Sequence, residues 1–593
     1  MKWVNFEATP VSASITYKDT LRYFMSNSDP DQIILFIVEN CSPNKVYFVH
    51  NLTFEAFALM KWLTISKLKY KVFSSDSIVY KMSIFYTKNG EEREIRLRCS
   101  YRLTLLPLRE LASLCGLERT PFPYKVLYRE FRRVEKLSSR DFETEDLFKS
   151  FVKRFGRIID FHLILENYCS NEALIVKRGV KKFLLSLEKI FKLPKKLPLT
   201  ASSLSLMIFF SSKTKIKRSL KLIDDDLIRR SYYGGRCEVF GNLDFGEIAL
   251  HFDFTGMYAS CMSEEVPSGE YKIIEVDQIS LPGFYWIKFE QNMEVPILPF
   301  RLKQGLFFLN GIEEGWYWYE EILFFQERGG KVRQIKQAIL FESYSREIEK
   351  FVHDNNSIRS IGGIYNIIGK NNNNTLYGRL GMNPNSRIDE ITNFEPKNYE
   401  ILRMVNGVYS SSKKACRKAS NVSVAAAITS KARIRLYKGF LEVKKNGGRL
   451  LYCDTDSIVA AFALKSYKRV LNTYLGDVFF DSTKNDTVIP KAVFALPKTY
   501  AIKLVNGDEI VKVKGFNNNK TNFNSFKRLF DLGQDYTADS QVFSRKNQSI
   551  WLTRDEKRTN LSALTKRTWS CNKTRTSPKK FSDFSEYDYI YVK

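Results

Sequence analysis

The sequence predicts a multidomain α/β protein, and three observations carry that expectation. At 593 residues the chain is several times the usual domain length, so more than one compact unit is expected. Strand-like runs alternate with a helical stretch over residues 1–175. Further on, two strand patterns, Gly246 to Phe254 and Gly448 to Cys453, are interleaved with a long helical pattern from Ala419 to Val443.

In residues 1–175, Gln32 to Val38, Lys45 to Val49 and Glu94 to Cys99 are strand-like, and Thr53 to Leu68 has helical periodicity. Residues 176–230 are rich in Lys and Ser and contain Pro194 and Pro198, which reads as a basic helix followed by a connector. Residues 231–504 form the unit whose strand patterns carry the notable acidic residues. In residues 505–593 a hairpin is expected around Asn506-Gly507, followed by a basic polar segment from Arg545 to Lys580; this region should be small, mobile and basic. There is no internal repeat and no coiled-coil heptad.

Composition narrows the function class. Lys and Arg number 93 against 65 Asp and Glu, a formal net charge of +28, which points to a polyanionic partner. Charge alone does not choose among DNA, RNA and an anionic membrane. The nine cysteines are dispersed and contain no CxxC pair, which fits reduced thiols and argues against a zinc site. The four histidines are scattered, so any metal site must be built from carboxylates. The longest apolar runs, such as Ile33 to Val38 and Leu204 to Phe210, fall far short of the roughly 20 residues a membrane span needs. The N-terminus shows no signal or transit peptide.

Two acidic clusters close β-like apolar runs: Asp253, and Asp454-Thr455-Asp456. Carboxylates on strand ends of one sheet can converge. Phosphoryl transfer to a sugar hydroxyl uses two divalent cations about 4 Å apart, for which hard oxygen ligands suit Mg²⁺. Either cluster alone is weak evidence, since Asp-x-Asp usually marks a turn. Between them, however, Lys370, Asn374 and Tyr377 follow at helical spacing, so that a cation, an amide and an aromatic ring share one face.

This ordered set resembles the motifs of family B DNA polymerases. Asp253-Phe-Thr-Gly-Met-Tyr258 resembles motif A, Lys370 through Asn374 to Tyr377-Gly378 motif B, and Tyr452-Cys-Asp454-Thr-Asp456 motif C; Lys498-Thr-Tyr500 matches the family's Lys-x-Tyr motif. The resemblance implies a ribonuclease H-like 3′–5′ exonuclease domain followed by a right-hand polymerase domain of palm, fingers and thumb, the last within 505–593. It implies that Asp253 and Asp456 bind two Mg²⁺ ions, replaceable by Mn²⁺, with Asp454 supporting them. Tyr258 would lie under the incoming sugar where a 2′-hydroxyl would sit, Lys370 would contact the triphosphate of the dNTP, and Asn374 and Tyr377 would line the nascent base pair. Lys498 and Tyr500 would hold the primer end. Motif A departs from the usual Ser-Leu-Tyr-Pro at Gly256-Met257-Tyr258-Ala259, and Thr375 stands where Ser is usual; the charged positions are intact.

Upstream, Tyr232-Tyr233-Gly234-Gly235 resembles the Tyr-x-Gly-Gly motif that contacts template DNA in this family. The intervals between motifs leave room for two insertions, near 261–350 and 383–415, that mark the protein-primed branch. Similarity is greatest to the group encoded on linear mitochondrial plasmids, which implies a mitochondrial location, a monomer with no membrane partner, and a separate terminal protein as primer. The first domain resembles the exonuclease with altered ligands. Asn5-Phe-Glu7 stands for Asp-x-Glu, Asn51 and Glu55 for Asn-x-x-x-Asp, and Tyr168 and Glu172 for Tyr-x-x-x-Asp. An amide weakens metal binding, and Asp-to-Glu changes displace a carboxylate, so proofreading should be weak or lost. Two other classes compete with an active polymerase: a catalytically inactive DNA-binding relic, disfavoured by three intact aspartates, and an RNA-synthesising enzyme, disfavoured by Tyr258.

Overall fold

The computed structural model describes the chain except residues 1–5, 8–11, 18–19, 26–29, 76–77, 129–132, 143, 219, 385–386, 406, 415–419, 471–473, 476–477, 480–487, 517–520, 547–548, 564–565, 586–587 and 589–593. In the N-terminal part, strand Val46–Val49 lies parallel to Glu91–Cys99 at one edge of a seven-stranded sheet, which continues antiparallel through Ile78–Lys88 and Lys69–Ser75. The next three strands come from much later in the chain: Arg387–Thr392, Val408–Lys414 and, at the far edge, Glu400–Val405. The segment expected as the second insertion therefore extends the N-terminal sheet. Asn393 fastens the junction, its amide donating to the Leu68 carbonyl at 2.8 Å and its side-chain oxygen accepting from the Tyr70 N–H at 2.9 Å. Buried Glu390 pairs with Lys71 at 2.6 Å across the same seam.

One expected strand is a helix. Gln32 to Val38 lies inside the helix Pro30–Asn40, because an apolar run of this length suits a buried helix as well as a strand. Pro30 opens that helix, where its missing N–H costs nothing, Asp31 in the first turn complements the helix dipole, and Ile33 and Ile34 are buried. The helix expected from Thr53 spans Thr53–Ile65. The long helix Phe161–Glu188, capped by Asp160 accepting from the Leu163 N–H, runs unbroken across position 175, where a boundary between units was placed on sequence grounds. The connector beyond it contains the helix Ala201–Phe209, whose Ser205 hydroxyl bonds to that of Thr375 at 2.9 Å.

The central sheet has the order Cys237–Val239, Arg449–Asp454, Ser457–Ala463, Glu247–Asp253, then the short strands Val478–Phe479 and Tyr474–Leu475. Across it lies the helix Val422–Lys445, started by Asn421, whose side chain accepts from the Val424 N–H. Ile428, Leu436 and Phe440 from this helix meet Leu250, Phe252, Cys453 and Ile458 from the sheet in the largest core. Each such side chain stabilises by roughly 1.5–3 kcal/mol on burial, which fixes the helix over the strands that carry the acidic residues. The span expected as the first insertion is a four-stranded antiparallel sheet of Val266–Glu275, Lys331–Ser345, Gly283–Gln291 and Gly311–Trp318, followed after the last of these by the helix Tyr319–Glu327.

The hairpin expected around Asn506-Gly507 is formed by Thr499–Lys503 and Glu509–Lys512. A second hairpin, Asp535–Lys546 with Ser549–Asn560, follows. Beyond it the chain returns to the central body, contrary to the expectation of a mobile terminal region. Arg567 is buried against Glu238 at 3.4 Å, and Phe581 joins Tyr285, Phe289 and Tyr317 in a core. In the sequence Arg567 is one more cation; its burial follows from partners that folding assembles around it, Glu238 lying 329 positions away, the Glu294 carbonyl, and Thr576 at 2.7 Å. Among the described residues no helix is long and apolar enough to cross a membrane, and the eight described cysteines are free.

Candidate active site

Antiparallel register brings the two acidic clusters together. Asp253, the last residue of its strand, stands opposite Ser457, and the next residue, Phe254, donates its N–H to the Asp456 carbonyl at 2.9 Å. Asp456 occupies a tight turn with Thr455, whose backbone takes the left-handed φ of 66°. Such a φ is uncommon for threonine. The Thr455 N–H is held by the Arg236 carbonyl at 2.7 Å and the Asp456 N–H by the Asp454 carbonyl at 2.8 Å. Asp253, Asp454 and Asp456 line one cleft of about 500 Å³ together with Lys498, Tyr500 and Lys512.

The three carboxylates are not equivalent. The Lys498 ammonium donates to both oxygens of Asp454, at 2.8 and 2.7 Å. Although burial works against its charge, this pairing holds the Lys498 pKa above the usual lysine value. Asp253 and Asp456 make no ion pair among the described residues. Burial, and next the charge of Asp253, push the Asp456 carboxyl above the usual aspartate range, while Lys370 opposes the shift. No group of three or more Cys, His, Asp or Glu side chains able to hold a metal converges among the described residues. The donor set is thus two mutually repelling carboxylates, a repulsion that divalent cations would relieve, and it fits hard metal ions.

Lys370, Asn374 and Tyr377 lie on one helix, Ile364–Leu380, with Lys370 and Asn374 exposed. The Tyr377 ring stacks on Tyr258 with centroids 4.1 Å apart and planes 11° apart. Burial, then the neighbouring Tyr377, raise the Tyr258 pKa far above that of a free phenol, so the hydroxyl stays protonated. Tyr232 packs against the backbone of Gly381, where a β-carbon would fall 2.6 Å from the ring. Gly235 abuts both Thr455 and the Tyr258 hydroxyl, while Gly234 is exposed. At Lys498, also in left-handed conformation, the N–H donates to the Tyr452 hydroxyl at 2.9 Å, and Tyr500 packs beside Tyr452 at 5.8 Å. The structure therefore gathers Asp253, Asp454, Asp456, Tyr258, Lys370, Tyr377, Gly235, Lys498 and Tyr500 around one cleft and its rim.

Sequence reasoning missed the residues beneath this site. Arg433 binds Glu321 in a buried pair, and Arg435 reaches Ser260 at 2.6 Å and Glu264 at 2.7 Å just beyond motif A. The available signal was three cations, Lys431, Arg433 and Arg435, at alternate positions directly after the largely apolar stretch Val422 to Ile428, since cations drawn into a core require partners.

The exonuclease-like positions do not assemble in the same way. Asn5 lies outside the described residues. Glu7 belongs to the strand Phe6–Glu7, which pairs with Ser549–Asn560 and not with Val46–Val49, the strand that leads to Asn51. Asn51 is exposed with φ 59°, and Glu55 sits in the first turn of its helix with one carboxylate oxygen unpartnered and its pKa pushed up to about 8 by burial. Tyr168 and Glu172 share one helical turn. Arg119 clasps both Glu172 oxygens at 2.8 and 3.3 Å and reaches the Tyr168 hydroxyl, which also meets Tyr124 at 2.6 Å. Burial, and after it the charge of Arg119, lower the His50 pKa to about 4. Glu172 thus already has a cation, which takes up both oxygens it would offer a metal ion.

Residues 40–444 match the family model described as DNA polymerase type B, organellar and viral. A protein of Podospora anserina named "Probable DNA polymerase" is 29% identical over 52% of this chain and 29% of its own length. One of the same name from Neurospora intermedia is 26% identical over 79% of this chain and 52% of its own, and the "DNA-directed DNA polymerase" of Enterobacteria phage PRD1 is 26% identical over 49% of this chain and 52% of its own. The chain spans about half, or less, of the length of these relatives. The fold is that of Phi29 DNA polymerase, solved in complex with single-stranded DNA, at a TM-score of 0.63 and 17% identity over 91% of this chain and 94% of that one. Since the family model covers more than half of its length, the chain belongs to the type B DNA polymerases of the organellar and viral group.

Proposed function

We propose that the chain is a DNA-directed DNA polymerase that adds deoxynucleotides to a primer end at the Asp253–Asp456 cleft. The observation that carries this reading is the register that sets Asp253 beside the Asp456 turn, with the charge of Lys370 acting on Asp456. In this reading Asp253 and Asp456 would hold two Mg²⁺ ions, or Mn²⁺ in their place, and the bound ions would supply a lowered pKa at the primer hydroxyl and charge neutralisation at the triphosphate. Lys370 supplies positive charge where negative charge develops on the triphosphate. Tyr258, held flat by Tyr377, blocks the space of a 2′-hydroxyl, and Asn374 and Tyr377 line the nascent base pair. Tyr232, Gly234 and Gly235 guide the template, while Lys498 and Tyr500 hold the primer end, with Asp454 orienting Lys498. Residues 231–504 are the palm and fingers with their two insertions, and residues from 505 onward include the thumb. Primer extension tests the proposal: Asp456→Ala should abolish dNTP incorporation and leave DNA affinity nearly intact. A wild-type protein that extends no primer with Mg²⁺ or Mn²⁺ would favour the inactive DNA-binding relic.

The same proposal includes priming by a terminal protein in the replication of a linear plasmid in the mitochondrion, supported by the fungal relatives and by the two β-sheet insertions. Incorporation of the first nucleotide onto a protein hydroxyl, in the absence of any nucleic-acid primer, tests it. Proofreading is proposed to be weak or lost, supported by Asn5, Glu55 and Glu172 at positions where the family pattern has aspartate and by the Arg119–Glu172 pair. Brisk Mg²⁺-dependent removal of a mismatched 3′ end, abolished by Glu7→Ala, would refute that part.

A further inference from the structure

Three successive carbonyls of the Tyr232–Gly234 loop face guanidinium groups. Arg301, from the inserted span, donates to the Tyr232 carbonyl, and Arg433 donates to those of Tyr233 at 2.7 Å and Gly234 at 3.3 Å. The Arg433 group is oriented in turn by Glu321 of the helix Tyr319–Glu327, two N–H···O contacts of 2.7 Å forming a bidentate fork, while Ser430 donates to the same carboxylate at 2.9 Å. Both side chains are almost fully buried, at 4% and 1% exposure. Tyr233 is further clasped by Tyr317, stacked at 5.4 Å, from the strand that runs into that helix. With its carbonyls turned this way, the loop presents Gly235 to Thr455 and to the Tyr258 hydroxyl.

We propose that Glu321 and Arg433 are positioning residues through which the inserted unit Val266–Ser345 sets the Tyr232–Gly235 loop, and so the seat of Thr455 in the turn that carries Asp454 and Asp456. The inference rests on the polymerase reading. A planar fork fixes a carboxylate and two carbonyls at once, which a lysine at the same place does not do. A buried ion pair with no further role can be exchanged for apolar residues at little cost to stability, and this separates positioning from packing.

The experiment uses the full chain and compares wild type, Arg433→Lys and the double substitution Glu321→Met with Arg433→Met. It reads melting temperature, affinity for primer–template DNA and the single-turnover rate of dNTP incorporation. The expected result is that the double variant folds and binds DNA within about threefold of wild type but incorporates about 10- to 100-fold more slowly, with Arg433→Lys also slowed. Variants that fold and incorporate within twofold of wild type would overturn the proposal and leave the pair a packing element. Wild-type protein that incorporates nothing would instead overturn the polymerase reading on which it rests.

Discussion

A methyl group added at Gly235 should slow catalysis while leaving the protein folded. A β-carbon there would lie 2.8 Å from Thr455 Cγ2 and 3.1 Å from both Thr455 Oγ1 and the Tyr258 hydroxyl, where ordinary contact begins at 3.4 Å. Thr455 must therefore retreat by about 0.6 Å. It cannot do so alone: its φ is positive and its N–H is tied to the Arg236 carbonyl, so the turn carrying Asp454 and Asp456 moves with it. Since a misplacement of about 1 Å at a reacting centre costs on the order of 100-fold, Gly235→Ala should lower the single-turnover rate of dNTP incorporation by roughly 10- to 100-fold. Overpacking should cost about 1–3 kcal/mol of stability. Gly234→Ala is the matched control for stability, because a β-carbon there meets nothing within 4 Å; its stability should stay within about 0.5 kcal/mol of wild type. Melting curves and rapid-quench incorporation on both variants make the comparison. Folded Gly235→Ala protein that incorporates within twofold of wild type would refute the argument that this close approach seats the catalytic turn.

Lys498→Ala and Asp454→Asn should each slow extension, and the double variant should lose much less than the product of the two effects, because the side chains act as one ion-paired unit; full additivity in a double-mutant cycle would show that they act independently. Tyr258→Ala should raise the use of ribonucleotides relative to deoxynucleotides by about tenfold or more, measured as a ratio of kcat/KM values, and an unchanged ratio would remove Tyr258 from sugar selection. Burial alone would raise the Glu238 carboxyl, but Arg236 and Arg567 outweigh it and hold the pKa below the usual glutamate value, so the pair's stabilisation is present above about pH 4.5 and fades as pH falls through the lower folded value. Glu238→Gln should accordingly cost about 3–5 kcal/mol at neutral pH, with a gap to wild type that narrows below about pH 4.5; a pH-independent gap in melting temperature would contradict this.

Local pattern made much of the site legible. Apolar runs closed by Asp253 and by Asp454-Thr455-Asp456 could be recognised as strand ends, and the i, i+4, i+7 spacing of Lys370, Asn374 and Tyr377 placed them on one helical face, as the helix Ile364–Leu380 has it. The run Gln32 to Val38 misled because seven apolar-rich residues carry no decisive period, and burial against a sheet selected the helix. Nothing local marked residues 387–414 as strands of the N-terminal sheet, since pairing with Lys69–Ser75 is a contact over more than 300 positions.

The chain's own order of residues determined its membership, its basic character and the identity of the acidic, cationic and aromatic groups around the cleft, because each of these depends on residue type at short spacing. Tertiary structure alone decided which one of three aspartates has a counter-ion, how Arg119 came to occupy the place of a cation beside Glu172, and why two cations, Lys431 and Arg433, lie buried in the helix Val422–Lys445. The physical reason is that charge is neutralised by whatever partner folding brings within about 3 Å, and such partners are set by sheet register and helix packing across hundreds of residues, for which a sequence pattern holds no local record.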